Sequence, residues 1–217
     1  MDNVIFLLVL LAVAIVSYLS GSVNGAIITS KYFYRKDIRK YGSGNPGLTN
    51  FYRVFGKGGT TLVILIDVMK SLVPVFVSGL IFEQHFDALL FGRISSGLFV
   101  MLGHCFPVYY AFKGGKGVMA AGTVIFVIDW RVALISWGLF LIISAITRFV
   151  SLGSIIAGIA FPISLSALNL GDFWEVFIAC LCMTLLIARH QANIKRLIKG
   201  EESRFSFKRK KPEGNNL

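Results

Sequence analysis

Long apolar blocks alternate with short polar segments along this chain. A helix needs about 20 apolar residues to cross a bilayer, and on this basis the blocks predict seven spans. They run over about residues 4–29, 60–82, 86–110, 117–128, 131–146, 150–170 and 173–188. The fourth is short for a full crossing, and only Asp129 and Trp130 separate it from the fifth. The pattern predicts an all-α integral membrane protein, a bundle of seven transmembrane helices forming a single domain over residues 1–203.

The distribution of basic residues predicts the orientation of this bundle. With seven crossings, nineteen of the 22 Lys and Arg residues fall on one side. Cytoplasmic loops of membrane proteins are enriched in Lys and Arg, so we expect the N-terminus outside and the C-terminus in the cytoplasm. Residues 204–217 are basic, and we expect them to form a disordered cytoplasmic tail. Three polar segments, at residues 42–53, 113–117 and 189–202, then all face the cytoplasm.

Composition agrees with a membrane protein and changes the interpretation of the charge. The chain of 217 residues is 55% hydrophobic and 15% charged, whereas soluble domains carry about a quarter charged residues. A net charge of +11 could suit nucleic acid, but the basic residues lie between apolar spans, so we expect no nucleic-acid partner. The first apolar block lacks a preceding positive segment, and we interpret it as a retained span rather than a signal peptide.

The first polar segment covers residues 42–53 and combines glycines with amides, hydroxyls and an arginine. Glycines allow successive backbone N–H groups to point at an anion, and the planar guanidinium of arginine binds phosphate well. A plain interfacial turn is the alternative interpretation, since Gly-Asn-Pro-Gly is typical of turns. The candidate site residues here are Ser43, Asn45, Thr49, Asn50 and Arg53.

The second polar segment, residues 113–117, reads Lys-Gly-Gly-Lys-Gly and leads directly into the fourth span. Flexible glycines before a helix N-terminus, with a lysine among them, are typical of phosphate-binding loops. The spacing of a Walker A nucleotide loop is absent, and a basic interfacial loop is the alternative. The candidate phosphate-binding residues are Gly114, Gly115, Lys116 and Gly117.

The third polar segment, residues 189–202, is expected to continue helically from the last span. His190 and Asn193 are three residues apart and would share one helix face. A histidine beside an amide can orient a hydroxyl or stabilise developing charge. An interfacial histidine can equally be structural, so the case for chemistry here depends on the two phosphate-like loops on the same surface.

Charged residues also occur inside the predicted spans. Asp67 and Lys70 lie three residues apart on the second span, where they can neutralise each other and support a loop above. His104 lies near the cytoplasmic end of the third span and is a second-tier candidate. Arg93 is expected near the outer end, with its charge reaching the interface.

These motifs together resemble the bacterial acyl-phosphate:glycerol-3-phosphate acyltransferase family. The matching stretches, in family order along nearly the whole chain, are residues 42–50 with Arg53, 102–107, 112–118, and 189–196 through 200–202. The chain departs from the family pattern at Leu48 (usually Ala), Ser71 (usually Gly) and Asn24 (often Pro). We expect packing changes at these positions, and at Asn24 an effect on entry of the acyl chain.

The resemblance implies a seven-helix fold with its active site at the cytoplasmic face of the bacterial inner membrane. The implied reaction transfers an acyl group from acyl-phosphate to the 1-position of sn-glycerol 3-phosphate, giving lysophosphatidic acid and phosphate in the first step of phospholipid synthesis. By resemblance, His190, Asn193 and Ser43 lie nearest the chemistry, Arg53 and Ser43 position glycerol 3-phosphate, and Lys116 with its flanking glycines binds phosphate.

The same reading implies a self-contained enzyme that acts on membrane lipid precursors. We expect no cofactor, no metal, no coenzyme A or acyl carrier protein, and no obligate protein partner. The polar segments hold few carboxylates, which magnesium would require. The competing class is a transporter of a small phosphorylated solute. Against a transporter, the sequence has no internal repeat and its polar residues gather at one surface instead of mid-membrane.

Overall fold

The structure, a computed structural model, describes residues 2–205 and is helical, with no strand in that range. Its α-helices are α1 (Asp2–Ser22), α2 (Gly25–Tyr34), α3 (Leu48–Phe55), α4 (Thr60–Phe86), α5 (Leu89–Cys105), α6 (Val118–Ile128), α7 (Trp130–Thr147), α8 (Val150–Ala167), α9 (Phe173–Arg189) and α10 (Gln191–Ile198). Short 3-10 turns lie at Ile38–Lys40 and Val108–Tyr110. The expected all-α class is confirmed.

Several of these helices are long and apolar enough to cross a membrane. Five stretches qualify, namely Asn3–Tyr34, Thr60–Phe86, Leu89–Tyr110, Trp130–Thr147 and Val150–Ala167, and the bent pair of α9 and α10 would make a sixth. Helix α6 has 11 residues, about 16 Å at 1.5 Å per residue, against a hydrocarbon core of about 30 Å. The helices indicate a multi-pass membrane protein, while the count of seven crossings and the orientation stay predictions.

The first apolar block, expected as one helix, is interrupted at Val23 and Asn24. The Asn24 side chain caps α2 by accepting a hydrogen bond from the Ile27 N–H (2.9 Å). Its amide also donates to the Pro46 carbonyl (3.0 Å), which ties the start of α2 to the first polar segment. Asn24 is fully buried and lines neither of the cavities described below. Asn24 therefore has a capping role, while the expected effect on acyl-chain entry stays a prediction.

Helix α5 lies at the centre of the bundle and packs against α1, α4, α6 and α9, while α8 packs between α7 and α9. Its contact with α1 is close because Gly103 faces α1: a Cβ at that position would lie 2.2 Å from the Tyr18 carbonyl oxygen. Small residues allow this kind of approach between membrane helices. The main apolar core lies around α5, with buried members Ile94, Val100, Met101, Val124, Val132, Phe161 and Leu165.

A second apolar cluster fixes the first polar segment to the bundle. Ile27 of α2, Ile38, Phe51 of α3 and Val63 of α4 are completely buried together, and the Tyr34 ring packs edge-on against Phe51. Phe51 thus anchors α3, an eight-residue helix that the apolar pattern does not predict. This cluster gives the polar side of α3 a fixed position at one end of the bundle.

Arg93 lies near the start of α5 and is half-buried. Its guanidinium donates to the carbonyl oxygens of Val127 (2.9 Å) and Ile128 (3.3 Å) at the end of α6. Its aliphatic part runs along Gly79, where a Cβ would lie 2.7 Å from it. The charge of Arg93 therefore stabilises the C-terminus of α6, while the expectation that it reaches the membrane interface stays a prediction.

The last described residues fold back onto the bundle. The Phe205 N–H donates to the Arg148 carbonyl oxygen (2.7 Å), the Phe205 ring lies 5.9 Å from that of Tyr52, and the Arg204 guanidinium lies over the Phe149 ring. Residues 206–217, which hold most of the expected tail, lie outside the described residues. The fold-back brings Glu202 to the polar end of the bundle.

Candidate active site

The three polar segments meet in one cavity of about 220 Å³. Its walls come from the first segment and α3, the loop before α6, the end of α9, the start of α8 and residues 202–203. The sequence-predicted residues that line it are Ser43, Asn45, Thr49, Asn50, Arg53, Asp67, His104, Lys116, Gly117, His190 and Asn193. Gly114, Gly115 and Lys70 are not among its lining residues.

Asn50 shapes the first polar segment from within. Its side-chain oxygen accepts the Ser43 N–H (2.9 Å), and its amide donates to the Tyr41 carbonyl (3.0 Å). Asn50 is buried, and both ends of its amide are thereby used. The side chains of Ser43, Asn45, Thr49 and Arg53 form no hydrogen bond or ion pair with any part of residues 2–205, which leaves their donors available to a ligand.

The glycines of the second segment allow it to approach the bundle closely. A Cβ on Gly115 would lie 2.3 Å from His104 Nε2, and Gly117 has a φ of +80°, which favours glycine. The Gly115 N–H donates to the His104 carbonyl (3.1 Å). The Arg189 guanidinium donates to the carbonyl oxygens of Gly114 and Gly115, each at 3.1 Å. Gly114 and Gly115, expected as substrate contacts, therefore lie behind the cavity wall and shape the loop.

Three helix N-termini open into the cavity. The residues preceding α3, α6 and α8 are Gly47, Gly117 and Phe149, and none of them forms a side-chain cap. The first residues of these helices, among them Leu48, Val118 and Val150, line the cavity. A helix N-terminus carries partial positive charge and unpaired N–H groups, so this arrangement favours a bound anion.

Lys116 adds a positive charge in a setting that already holds several. Burial lowers the pKa of Lys116 to about 8; Glu202 raises it, while Arg196, Arg53 and Arg189 lower it further. Lys116 and these three arginines thus lie close enough to act on one another, and Glu202 is the carboxylate that acts on Lys116. Because a bound dianion would relieve their mutual repulsion, the electrostatics favour a phosphate ligand.

His190 lies at the junction of α9 and α10, where the chain bends by 59°. The third polar segment therefore continues helically after the last span, as expected, but as a separate helix, α10, beyond this bend. His190 Nδ1 lies 2.8 Å from the Leu186 carbonyl oxygen, which can only accept, so Nδ1 carries the proton and Nε2 keeps its lone pair. Burial lowers the pKa of His190 to about 4, so the ring is neutral near pH 7.

Glu202 organises the third segment and was not among the predicted site residues. Its Oε1 accepts hydrogen bonds from Asn193 Nδ2 and Ser151 Oγ, both at 2.7 Å, and its Oε2 accepts from Arg196 Nε at 2.7 Å. Burial alone would raise the pKa of Glu202, but these hydrogen bonds lower it overall. With its amide nitrogen held by Glu202, Asn193 keeps an oxygen that is buried and has no partner within residues 2–205.

The sequence signal available for Glu202 was a carboxylate within an otherwise basic segment. Glu202 is also the last residue of the stretch that resembles the family. Ser151 gives no such signal, because one serine at the start of an apolar span is common.

Asp67 and Lys70 form a buried ion pair on α4, with Asp67 Oδ1 2.8 Å from Lys70 Nζ. Asp67 Oδ1 also accepts the Gly25 N–H (3.1 Å). The Lys70 ammonium further contacts the Val23 carbonyl oxygen and His104 Nδ1. The pair therefore connects the α1–α2 break to the end of α5, in agreement with the expected supporting role.

A second, apolar cavity of about 40 Å³ lies deeper between α5, α6, α7, α8 and α9. Val118, Trp137, Phe140 and Ser154 line both cavities, so the two share one wall. The remaining lining residues are almost all apolar, including Met101, Ile125, Ala157, Phe161, Met183 and Leu186. A polar cavity and an apolar cavity therefore border each other at these shared residues.

The chain is similar in sequence to a known protein family and to several of its members. The glycerol-3-phosphate acyltransferase family matches residues 11–200. The glycerol-3-phosphate acyltransferase of Staphylococcus haemolyticus (strain JCSC1435) is 36% identical over 92% of this chain and 100% of its own length. That of Macrococcus caseolyticus (strain JCSC5402) is 40% identical over 90% of this chain and 96% of its own.

Two solved structures are also similar to this chain in sequence and fold. One is the crystal structure of PlsY, an integral membrane glycerol 3-phosphate acyltransferase, in its glycerol 3-phosphate form. Its sequence is 36% identical to that of this chain. The match covers 91% of this chain and 96% of that one, with a TM-score of 0.80. Its lysophosphatidic acid form matches with a TM-score of 0.78. The chain belongs to the glycerol-3-phosphate acyltransferase family.

Proposed function

We propose that this protein transfers an acyl group from acyl-phosphate to the 1-hydroxyl of sn-glycerol 3-phosphate, releasing lysophosphatidic acid and phosphate. The observation that carries the proposal is the single cavity in which free cationic and hydroxyl donors face two free acceptors, His190 Nε2 and the Asn193 side-chain oxygen. Both substrates carry phosphate, which accounts for the donors. The PlsY forms with glycerol 3-phosphate and lysophosphatidic acid support the choice of acceptor and product.

The first polar segment is the proposed site for glycerol 3-phosphate. Arg53 and the hydroxyls of Ser43 and Thr49 are free donors on one wall of the cavity, and the N-terminus of α3 lies among them. A phosphate held there leaves the glycerol hydroxyls to the acceptors across the cavity. His190 Nε2 and the Asn193 oxygen would then orient the 1-hydroxyl for attack.

The second polar segment is the proposed site for the phosphate of the acyl donor. Lys116 and the N-terminus of α6 face the cavity, and α6 also borders the apolar cavity through Val118, Ala121 and Ile125. A donor bound here places its charged end against Lys116. Its acyl chain runs past Trp137 and Phe140 toward the apolar cavity.

The chemistry follows from this placement. The 1-hydroxyl oxygen forms a bond to the donor's carbonyl carbon, and the bond from that carbon to the phosphate oxygen breaks. Because the pKa of His190 is held near 4 mainly by burial, the ring orients the hydroxyl but does not retain its proton. The proton passes to the departing phosphate, so that an ester and hydrogen phosphate result.

Charge stabilisation carries most of this catalysis. Acyl-phosphate is an activated mixed anhydride, and no covalent enzyme intermediate is needed. Lys116 and the α6 N-terminus stabilise the charge on the leaving phosphate, and one preorganised donor of this kind is typically worth about 100- to 1000-fold in turnover.

The proposed placement in the cell follows the charge distribution. Seven crossings, with α6 and α9 as the short ones, would put the cavity at the cytoplasmic face of the bacterial inner membrane, with the N-terminus outside. A water-soluble acceptor then enters from the cytoplasm, while the acyl chain enters from the bilayer.

Purified protein in detergent, given acyl-phosphate and labelled glycerol 3-phosphate, tests the activity. We expect labelled lysophosphatidic acid and an equal amount of phosphate, without acyl carrier protein or coenzyme A. His190→Ala should lose most of the turnover, while the same change at the exposed His85 should leave it intact. Near-full turnover of His190→Ala at saturating substrate would remove the role given to His190. Absence of product, together with counterflow of glycerol 3-phosphate in liposomes, would indicate a transporter instead.

A further inference from the structure

Two buried histidines line the cavity, and they present opposite hydrogen-bonding groups to it. His190 uses Nδ1 as a donor to the Leu186 carbonyl, which leaves Nε2 as an acceptor. His104 is 3% exposed, and its Nδ1 lies 2.8 Å from Lys70 Nζ. An ammonium group has only donors, so the Nδ1 of His104 must accept.

The remaining nitrogen of His104 must therefore carry the proton. Lys70 has three N–H donors, and its three partners are Asp67 Oδ1, the Val23 carbonyl oxygen and His104 Nδ1. With every donor of the ammonium used, the tautomer of His104 is determined. Its Nε2–H has no acceptor within residues 2–205, and because His104 lines the polar cavity, this N–H is available to a ligand there.

The position of this free donor points to its ligand. His104 lines the polar cavity, and its Nε2 lies against Gly115, within 2.3 Å of where a Cβ would stand. The next residue along the loop is Lys116, which also lines the cavity. A neutral N–H donor next to a lysine and a helix N-terminus suits a phosphate oxygen.

We propose that His104 is a further substrate-binding residue, which donates a hydrogen bond from Nε2 to a substrate phosphate oxygen at the Gly115–Lys116 loop, with Lys70 as the positioning residue that sets its tautomer. This inference rests on the proposed function and deepens it. The phosphate belongs to acyl-phosphate or to glycerol 3-phosphate, and our placement of the donor at this loop favours acyl-phosphate.

Two substitutions of His104 separate hydrogen bonding into the cavity from packing. Asparagine in His104→Asn places its oxygen near Nδ1 and keeps the contact with Lys70, but has no group at the Nε2 position. Glutamine in His104→Gln places an amide N–H near Nε2. We expect His104→Asn to lose about 10- to 100-fold in kcat/KM, the value of one hydrogen bond to a charged group, and His104→Gln to recover most of that loss.

The substrate whose KM rises in His104→Asn identifies the phosphate that His104 contacts. Wild-type kcat/KM in His104→Asn for both substrates would overturn the proposal, as would equal losses in the two variants. His85→Asn is the matched control, because His85 is exposed and far along α4 from Lys70.

Nitrogen-15 NMR of histidine-labelled, full-length protein in lipid nanodiscs tests the tautomer without any activity. The chain has three histidines, so His85→Asn and His104→Asn assign the signals. We expect His104 to show a protonated Nε2 and His190 a protonated Nδ1, with the His104 Nε2 signal shifting when inorganic phosphate is added. A protonated Nδ1 on His104, or no shift with phosphate, would contradict the proposal. This readout stays valid even where the acyl-transfer assay fails, so the two proposals can fail separately.

Discussion

Lys116, the lysine proposed to bind phosphate, has a weakened hold on its own proton. Burial and neighbouring cations lower its pKa to about 8, so the free enzyme loses this positive charge as the pH rises through about 8. Because kcat/KM reports the ionisation of the free enzyme, we expect kcat/KM for acyl-phosphate to fall on the alkaline side of this pKa.

Replacement of Lys116 by arginine tests this assignment. The guanidinium stays protonated, so Lys116→Arg should shift the alkaline limb to higher pH even if its absolute rate is lower. Lys113→Arg, in the same loop but exposed, is the control and should keep the wild-type profile. An alkaline limb that stays in place in Lys116→Arg would assign the titration to another group.

Arg53 is the free guanidinium of the first polar segment, and it makes no ion pair within residues 2–205. We expect Arg53→Ala to lower kcat/KM by about 100- to 1000-fold and to raise the KM for glycerol 3-phosphate. Arg53→Lys should recover part of this loss, since it keeps the charge but not the two-pronged geometry. Lys57→Ala, on the exposed loop after α3, serves as the control. An unchanged KM for glycerol 3-phosphate would remove Arg53 from the acceptor site.

The types of residue beside the apolar spans predicted much of the candidate site, but not the hydrogen bonds within it. Arg53, Lys116 and His190 stood out because charged or polar groups are conspicuous beside apolar spans. Ser151 did not, because its importance lies in one hydrogen bond to Glu202, 51 positions further along the chain. Such a pairing depends on how the chain folds back after α10, and no local pattern encodes it.

At the scale of helices, the Asp67–Lys70 pair makes α4 more than a membrane span. Both side chains are almost fully buried, and loss of one partner leaves the other charge unpaired. We expect Lys70→Met to lower the free energy of unfolding by about 3–5 kcal/mol. The double variant Asp67→Asn/Lys70→Met should recover a large part, because it removes both charges together.

Thermal denaturation of each variant in detergent measures this coupling. The exposed pair of Asp129 and Arg131 is the control: Arg131→Met should change the midpoint little, because solvent screens exposed pairs. Additive losses in the Asp67→Asn/Lys70→Met variant would show that the two residues act independently and would contradict the supporting role.

The apolar pattern predicted the long helices, but not all of the short ones. The predicted blocks lie on α1, α4, α5 and the later long helices because each block is long enough to span lipid. Helix α3 escaped prediction because its eight residues are mostly polar or aromatic, and the burial of Phe51 against α2 and α4 holds it in place. The bend at His190 likewise depends on tertiary contacts.

At the scale of the whole molecule, a polar cavity and an apolar cavity border each other. The polar cavity gathers segments from residue 43 to residue 203, and the apolar cavity beneath it is lined by five helices. Charge asymmetry along the sequence was sufficient to predict that the polar segments share one face. The sizes and contact of the two cavities depend on packing among Trp137, Phe140 and α8, which the sequence pattern does not encode.

Because the acyl chain is proposed to run toward the apolar cavity, packing around that cavity should affect which acyl-chain lengths the enzyme accepts. Ala157 of α8 lines the apolar cavity and not the polar one. A phenyl ring in Ala157→Phe would occupy space that a long acyl chain needs. We expect kcat/KM for a long-chain acyl-phosphate to fall about 10-fold relative to a short-chain one, with the KM for glycerol 3-phosphate unchanged.

Ala145→Phe on the exposed face of α7 is the matched control, since it adds the same ring where lipid surrounds the helix. Parallel assays of both variants with short- and long-chain acyl-phosphates measure the selectivity. An equal fall for both chain lengths in Ala157→Phe would mean that the ring disturbs the polar cavity instead. A selective fall for long chains would place the acyl chain between α6, α7 and α8, because a cavity filled by the substituted ring excludes only the part of the donor that reaches it.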